Sequence, residues 1–223
     1  MDKKEKYLVY FDFDNTITTL DTLDDIIERF AINNDWIEIE QAWKKGKIGS
    51  RECLKGQLGL VRITKPRLAK YLSKIKIDPH FKKILLLLKR KKIKPVILSD
   101  NFSYIINFVL HRHGIIGMKV YSNRLKFAKD RLRLAFPHAN PACFHCGHCK
   151  KSNLKKNNFR DKIIYIGDGL SDVCPAEFSD IVYAKGSLLR HFKKKNKSHI
   201  AFKDLGDVYL SLKENILNPI CSS

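Results

Sequence analysis

What most constrains this chain is a series of short apolar segments, each ending abruptly in acidic or hydroxylated residues. The first, Tyr7-Leu8-Val9-Tyr10-Phe11, is aromatic and β-branched and gives way at once to Asp12-Phe13-Asp14-Asn15-Thr16. That pattern is a buried strand emptying into a polar loop. From Leu23 to about Leu88 the spacing turns helical, as in Leu23, Ile26, Ile27 and Phe30, with breaks at Gly46, Gly49 and Pro66. Beyond Pro79 helices and strands alternate: a helix to Lys91, a strand Lys94 to Leu98, a helix Phe102 to His113 and a strand Lys119 to Tyr121. A Pro- and Cys-containing loop leads to a helix near Lys150 to Lys156, a strand Lys162 to Ile166 and a helix Asp172 to Phe178. Such alternation predicts an α/β chain with a parallel sheet covered on both faces, whose working loops lie at the carboxyl ends of the strands.

With 223 residues, 44% of them apolar, the chain can bury one core plus a modest insertion. No stretch approaches the ~20 apolar residues that cross a bilayer. The passage from Lys3, Lys4, Glu5 and Lys6 straight into the first strand reads as a chain expected to carry no signal peptide. A formal charge of +20 invites a nucleic-acid reading, but 32 of the 43 basic residues are Lys, scattered over every helical segment. The runs Lys89 to Lys92 and Lys193 to Lys195 read as solvated helix ends, and the overall field favours anionic substrates. Three of six cysteines, Cys143, Cys146 and Cys149, fall within seven residues, unlike a disulfide framework. The expected setting is therefore a reducing cytoplasm.

Three post-strand segments carry the chemistry: Asp12-Phe13-Asp14, Ser99-Asp100-Asn101, and Gly167-Asp168-Gly169-Leu170-Ser171-Asp172. In an extended segment alternate side chains share a face, so Asp12 and Asp14 can enter one pocket while Phe13 anchors in the core. One carboxylate can attack and the other can move protons. Attack on a phosphate meets like-charge repulsion, which a hard divalent cation relieves, and Asp168 and Asp172 supply further oxygen ligands. Ser99 and Lys150 are the candidate hydroxyl donor and cation for the phosphoryl oxygens.

Asp12-Phe13-Asp14-Asn15-Thr16-Ile17-Thr18, Ile97-Leu98-Ser99, Lys150 and Ile166-Gly167-Asp168-Gly169-Leu170-Ser171-Asp172 resemble the four motifs of the haloacid dehalogenase superfamily of phosphatases. The helical stretch after the first motif is similar to the cap of its phosphoserine phosphatase branch. The resemblance implies a Rossmann-like core of residues 1–18 and 79–223 and a small α-helical cap over 19–78. Cys146-Gly147-His148-Cys149-Lys150 and Ser179 to Ala184 resemble bacterial methylthio-ketopentenyl phosphate phosphatases of methionine salvage. Leu98-Ser99-Asp100-Asn101 and Gly167 to Pro175 resemble phosphoethanolamine and phosphocholine phosphatases. The implied roles are Asp12 as nucleophile, Asp14 as proton donor and then base, and Mg²⁺ held by Asp12, the Asp14 carbonyl and Asp168. Ser99, the Asp100 N–H and Lys150 would bind phosphate, with Asn101 beside them. Asp172 would support the metal or Lys150, and Lys151 is the alternative to Lys150.

Two cap positions depart from the phosphoserine pattern. The place of a carboxylate-reading arginine holds Gln57, and acidic Asp21 either reads an amine or caps the helix beginning near Thr22. The Cys143, Cys146 and Cys149 cluster, with His138, His145 and His148, has zinc-type ligands, yet it abuts Lys150 and reads as a reduced turn that positions that lysine. Cys174 and Cys221 read as packing thiols. The expected function is a Mg²⁺-dependent phosphomonoesterase of a small phosphorylated metabolite. The alternatives are a basic nucleic-acid-binding protein with a Cys/His zinc site, or a phosphatase of nucleic-acid ends, which a cap over the pocket would disfavour.

Overall fold

The computed structural model describes residues 6–143, 146–154 and 161–216. The first strand, β1 (Lys6–Phe11), is followed by helices α1 (Thr22–Phe30), α2 (Trp36–Lys44), α3 (Ser50–Gly59), α4 (Lys65–Leu72) and α5 (His80–Arg90). Next come β2 (Val96–Phe102), α6 (Ser103–Arg112), β3 (Lys119–Ala128) and β4 (Arg131–Ala135). After a 3₁₀ turn at Lys150–Asn153 follow β5 (Asp161–Gly167), α7 (Val173–Glu177), β6 (Ile181–Ala184), α8 (Gly186–Lys194), β7 (Ile200–Ala201) and α9 (Leu205–Ser211).

The strands form one sheet in the order β4-β3-β2-β1-β5-β6-β7, parallel throughout except where β4 folds back on β3. This is the expected α/β architecture. Phe11 pairs with Ile97 on one side and Ile166 on the other, so Asp12, Ser99 and Asp168 emerge together at one end of the sheet. Alternation divides the core: Val9 and Phe11 join Phe81, Ile84, Ile105 and Val208 on one face, while Tyr10 joins Leu98, Ala176, Leu188 and Phe192 on the other.

Helices α1 to α4 lie between β1 and α5. The chain enters and leaves this segment side by side, through the Thr18–Ile77 bridge and the hydrogen bond from Asp78 N–H to the Ile17 carbonyl at 2.8 Å. Leu23, Ile26 and Ile27 of α1 and Leu68 and Leu72 of α4 are buried in the same cluster as Phe11 and Phe81. α1 starts where it does because the Asp21 carboxylate accepts the N–H groups of Leu23 and Asp24, both at 3.0 Å, satisfying donors that a helix N-terminus leaves open.

Several boundaries differ from the sequence reading. The strand expected at Lys119 to Tyr121 runs on to Ala128 and pairs with β4, so part of the supposed Cys-rich loop is a hairpin. Ser99, Asp100 and Asn101 lie inside β2, within a register irregularity between Leu98 and Phe102, where neighbouring polar groups satisfy them. The helix expected near Lys150 to Lys156 is a short 3₁₀ turn as far as Asn153, and Lys155 and Lys156 lie outside the described residues. The helix expected from Asp172 is a 3₁₀ turn, Leu170–Asp172, leading into α7. Among the described residues no helix is long and apolar enough to cross a membrane.

Candidate active site

Asp12 is buried at the end of β1, where its N–H donates to the Ile166 carbonyl at 2.9 Å. The Lys150 ammonium, 2% exposed, donates to Asp12 Oδ1 and Asp172 Oδ1, each at 2.7 Å, and to Ser171 Oγ at 3.2 Å. Burial alone would favour losing the lysine's proton. Asp12 and Asp172 outweigh that and hold its pKa well above the usual lysine value. Lys151 instead is exposed, its ammonium 5.3 Å from the Phe178 ring centre.

Asp172 also accepts the Tyr165 hydroxyl at 2.6 Å, while its Oδ2 accepts the N–H groups of Asp168 and Gly169 at 3.0 and 2.9 Å. Both its oxygens are thus engaged in holding Lys150 and the loop. Gly167 permits this approach, because a Cβ there would lie 2.6 Å from Asp172 Oδ2 and 2.9 Å from the Tyr165 ring.

Asp14 is held differently. It accepts from the Thr22 N–H at 2.9 Å, from the Thr22 hydroxyl, and from Asn101 Nδ2 at 2.8 Å on its other oxygen. Asn101 Nδ2 also reaches Thr22 Oγ1 at 2.7 Å, so Asn101 is committed to positioning Asp14. Burial, then the charge of Asp21, pushes the Asp14 carboxyl up to about 8. Asp168, which accepts the Thr16 hydroxyl at 3.3 Å, is pushed up to about 7 by burial and then by Asp172. The two aspartates of the first loop therefore meet unlike surroundings: Asp12 faces a cation, and Asp14 faces neutral donors.

The turn before Lys150 is tied to β2. His148 N–H donates to Asp100 Oδ1 at 3.0 Å, its Nδ1 lies 2.9 Å from the Ser99 carbonyl, and its Nε2 lies 2.8 Å from Asn153 Nδ2. These partners select the neutral tautomer with the proton on Nδ1. Asn123 Nδ2 holds the Asp100 carbonyl at 2.6 Å, which fixes the backbone beside Ser99. Burial lowers the His148 pKa to about 4, the nearby Lys150 charge assisting. Since the unfolded value is higher, this histidine contributes stability that is fully present above about pH 6.5 and fades as pH falls toward about 4. The stability gap between wild type and His148→Gln should accordingly shrink by about 2 kcal/mol between pH 7 and pH 5, measured by urea unfolding. A gap independent of pH would mean the imidazole protonates in place.

Cys143 and Cys146 bring their sulfurs within 3.5 Å, and Cys149 is buried with its N–H on the His138 carbonyl at 2.9 Å. Among the described residues, the sets of three groups able to share one ion are Asp12, Asp168 and Asp172, and Asp78, His80 and Asp204. The cysteines form no such set among those residues, and His145 and Cys221 lie outside them. Asp78 is occupied structurally, accepting the N–H groups of His80 and Leu205 at 2.8 and 2.9 Å.

A cleft of about 160 Å³ opens above Asp12 and Asp14, between the sheet end and helices α1 to α3. Asp21 and Gln57 both line it, together with Asp24, Glu40 and Trp43, which the sequence reading missed. Gln57 donates to Glu40 Oε2 at 2.9 Å, and Glu40 also pairs with exposed Lys44 at 3.1 Å. No lysine or arginine other than Lys150 is among the described residues of the lining. Asp21 caps α1 and also borders the cleft.

An aspartate beside a buried lysine, a second aspartate clamped by neutral donors and a third on the facing loop, all at one sheet end, mark a haloacid dehalogenase-type phosphatase. The sequence profile of the Putative Phosphatase family matches residues 7–201, and the chain belongs to that family, as a hydrolase of phosphoric monoesters. It is 29% identical over 215 residues to the bifunctional enzyme MtnB/MtnX of Bacillus licheniformis, covering 94% of this chain and 50% of that protein. The chain thus spans about half of that relative's length. It is 27% identical over 215 residues to a 2-hydroxy-3-keto-5-methylthiopentenyl-1-phosphate phosphatase of Bacillus velezensis, covering 94% and 90%. The fold is similar to that of a phosphoserine phosphatase from T. onnurineus, with a TM-score of 0.68 at 19% identity, covering 96% and 98%.

Proposed function

We propose that this chain hydrolyses a small phosphomonoester in two steps through an aspartyl-phosphate on Asp12. The observation that carries the reading is the unequal environment of the paired aspartates. Asp12 is oriented by the Lys150 ammonium, while Asp14 is held by the neutral donors of Thr22 and Asn101. In the first step Asp12 Oδ attacks phosphorus, the ester P–O bond breaks, and Asp14 gives its proton to the leaving oxygen. In the second, Asp14 takes a proton from water as the water oxygen attacks phosphorus. That step releases inorganic phosphate and restores the Asp12 carboxylate. Ser99, the Asp100 N–H and Lys150 bind the phosphoryl oxygens.

The donor set suits a hard divalent cation, since carboxylate oxygens of Asp12 and Asp168 approach within 4.8 Å of each other and of Asp172. We assign Asp12, Asp168 and the Asp14 carbonyl as the residues that would hold Mg²⁺, with Asp172 fixing Lys150 and the loop behind them. Bound there, the ion would offset the repulsion between Asp12 and the phosphate. Residues 19–78 would act as the cap that closes over the phosphoryl site and excludes water from it.

The cleft also suggests the leaving group. Asp21, Asp24 and Glu40 ring its outer part beside Trp43, an arrangement that favours an amine or quaternary ammonium through charge and ring-face attraction. Phosphoserine would bring a carboxylate into a ring of carboxylates. A keto- or polyhydroxy-phosphate is the second reading, supported by the Bacillus relatives named for a keto-phosphate.

Steady-state kinetics with phosphoethanolamine, its neutral analogue propyl phosphate and phosphoserine test both levels. EDTA should abolish phosphate release and Mg²⁺ should restore it. Phosphoethanolamine should be preferred over both competitors, and Glu40→Gln should lower its advantage over propyl phosphate by about tenfold. Glu40 is a cleaner test than Asp21, whose removal also uncaps α1. No turnover of any phosphomonoester with Mg²⁺ would overturn the activity. An unchanged preference in Glu40→Gln would overturn only the amine recognition.

A further inference from the structure

The charge of this chain is unevenly placed, and the phosphatase site does not use the excess. Residues 79–129 contain 12 lysines and arginines against one acid, half-buried Asp100, whereas the remainder has 31 basic and 22 acidic residues. A composition bias spread over the whole chain would not produce that contrast. The segment forms α5, β2, α6 and β3, and eight of its twelve basic residues lie on α5, just before β2 or at the start of β3, while Arg124, Lys126 and Lys129 lie toward the other end of β3. Lys82, Lys83, Lys89, Arg90, Lys92 and Lys94 are exposed. None of the six has an ion-pair partner among the described residues.

Two aliphatic side chains stand out of this basic field. Leu86 of α5 is 59% exposed and Ile116 is 80% exposed. Ile116 sits at the tip of the loop Gly114-Ile115-Ile116-Gly117, whose glycines take φ of +70° and +76° while Ile115 is buried at its base. The loop is thereby folded so that one isoleucine anchors and the next projects. Leu86 and Ile116 line one cleft together with Lys82, Lys89, Lys92 and Lys94. This face lies at the amino ends of β2 and β3, whereas the catalytic aspartates lie at the carboxyl ends of the strands.

We propose that this face docks the protein on an anionic lipid bilayer. Lysines attract an anionic headgroup layer as flexible point charges, and projecting aliphatic side chains enter the acyl boundary beneath it. Nucleic acid fits less well: the exposed large apolar groups here are aliphatic and offer no ring for base stacking, and Arg90 is the one arginine among the six exposed cations. Docked this way, the acidic catalytic mouth faces away from the lipid and stays open to dissolved substrate.

Co-sedimentation of the whole chain with vesicles tests the proposal, using an equal mixture of phosphatidylserine and phosphatidylcholine against phosphatidylcholine alone. Binding should require the anionic lipid and weaken as salt is raised. Ile116→Asp and the double variant Lys82→Glu/Lys89→Glu should each weaken it by about tenfold or more, while turnover of a soluble phosphomonoester stays unchanged and shows that both variants fold. Failure to bind the anionic vesicles would overturn the proposal, as would binding that neither variant alters. Binding of a DNA duplex as tight as that of the anionic vesicles, lost in the lysine variant and kept in Ile116→Asp, would replace lipid with nucleic acid as the partner.

Discussion

Asp12→Asn should keep its fold and lose turnover by a factor on the order of 10⁴ or more. The amide oxygen can still accept from Lys150, and Asp172 still pairs with that lysine, so no buried charge is stranded. What disappears is the anionic oxygen proposed to bond to phosphorus. A rapid acid quench of wild type with phosphate-labelled substrate should trap label on the protein, and the same experiment on Asp12→Asn should trap none. Label retained by the variant, or a loss of turnover smaller than about tenfold, would move the nucleophile elsewhere.

Lys150→Met should damage both stability and activity. Removing the ammonium leaves Asp12 and Asp172 facing one another in a buried site, a change that costs about 3–5 kcal/mol. Loss of the cation proposed to meet the phosphoryl group should reduce kcat by a further 10²-fold or so. Because Asp172 is one of the two stranded charges, Lys150→Met/Asp172→Asn should recover part of the stability without recovering activity. Thermal unfolding and phosphate release measure the two effects separately. Lys151→Met is the control, expected to change stability by less than about 0.5 kcal/mol, because its ammonium is exposed over Phe178. Equal effects from the two lysines would contradict the assignment.

The parts of the fold that were legible were those where local pattern and burial agree. Tyr7 to Phe11 and Lys162 to Ile166 read as strands because both faces of a central parallel strand are buried, which leaves continuous apolar runs. The β3–β4 hairpin did not show itself, since its turn uses Lys129 at φ +59° and Asp130 in place of a glycine pair, and its exposed face is a string of lysines and arginines. Ser99 to Asn101 looked like a loop because polar residues usually leave strands. Here His148 and Asn123 bind Asp100, while the Asn101 amide holds Asp14, allowing the chain to stay extended and buried.

In the site, the aspartates were readable because each follows an apolar strand directly. Glu40 and Trp43 were not, because nothing along the sequence shows that α2 passes over the cleft. The dual position of Asp21 was equally hidden: a cap and a cleft-lining residue are the same aspartate before an amphipathic helix, and the distinction lies in what stands opposite. For Asp172 the sequence left support of the metal or of Lys150 open, and the structure places it within reach of both. Its saturation by Lys150, Tyr165 and two backbone N–H groups is a fact of three dimensions.

The clamp on Asp14 draws its donors from two sources: Asn101 belongs to the sheet, and Thr22 is the first residue of α1. An enzyme engineer exchanging α1 to α4 for a segment from another phosphatase would therefore change more than the lining of the cleft. A junction placed before Thr22 hands part of the clamp on Asp14 to the donor protein, whereas a junction placed after it keeps that clamp with the host. The useful seam for building chimeras with new leaving-group preferences lies beyond the first turn of α1, several residues inside the border that secondary structure alone would suggest.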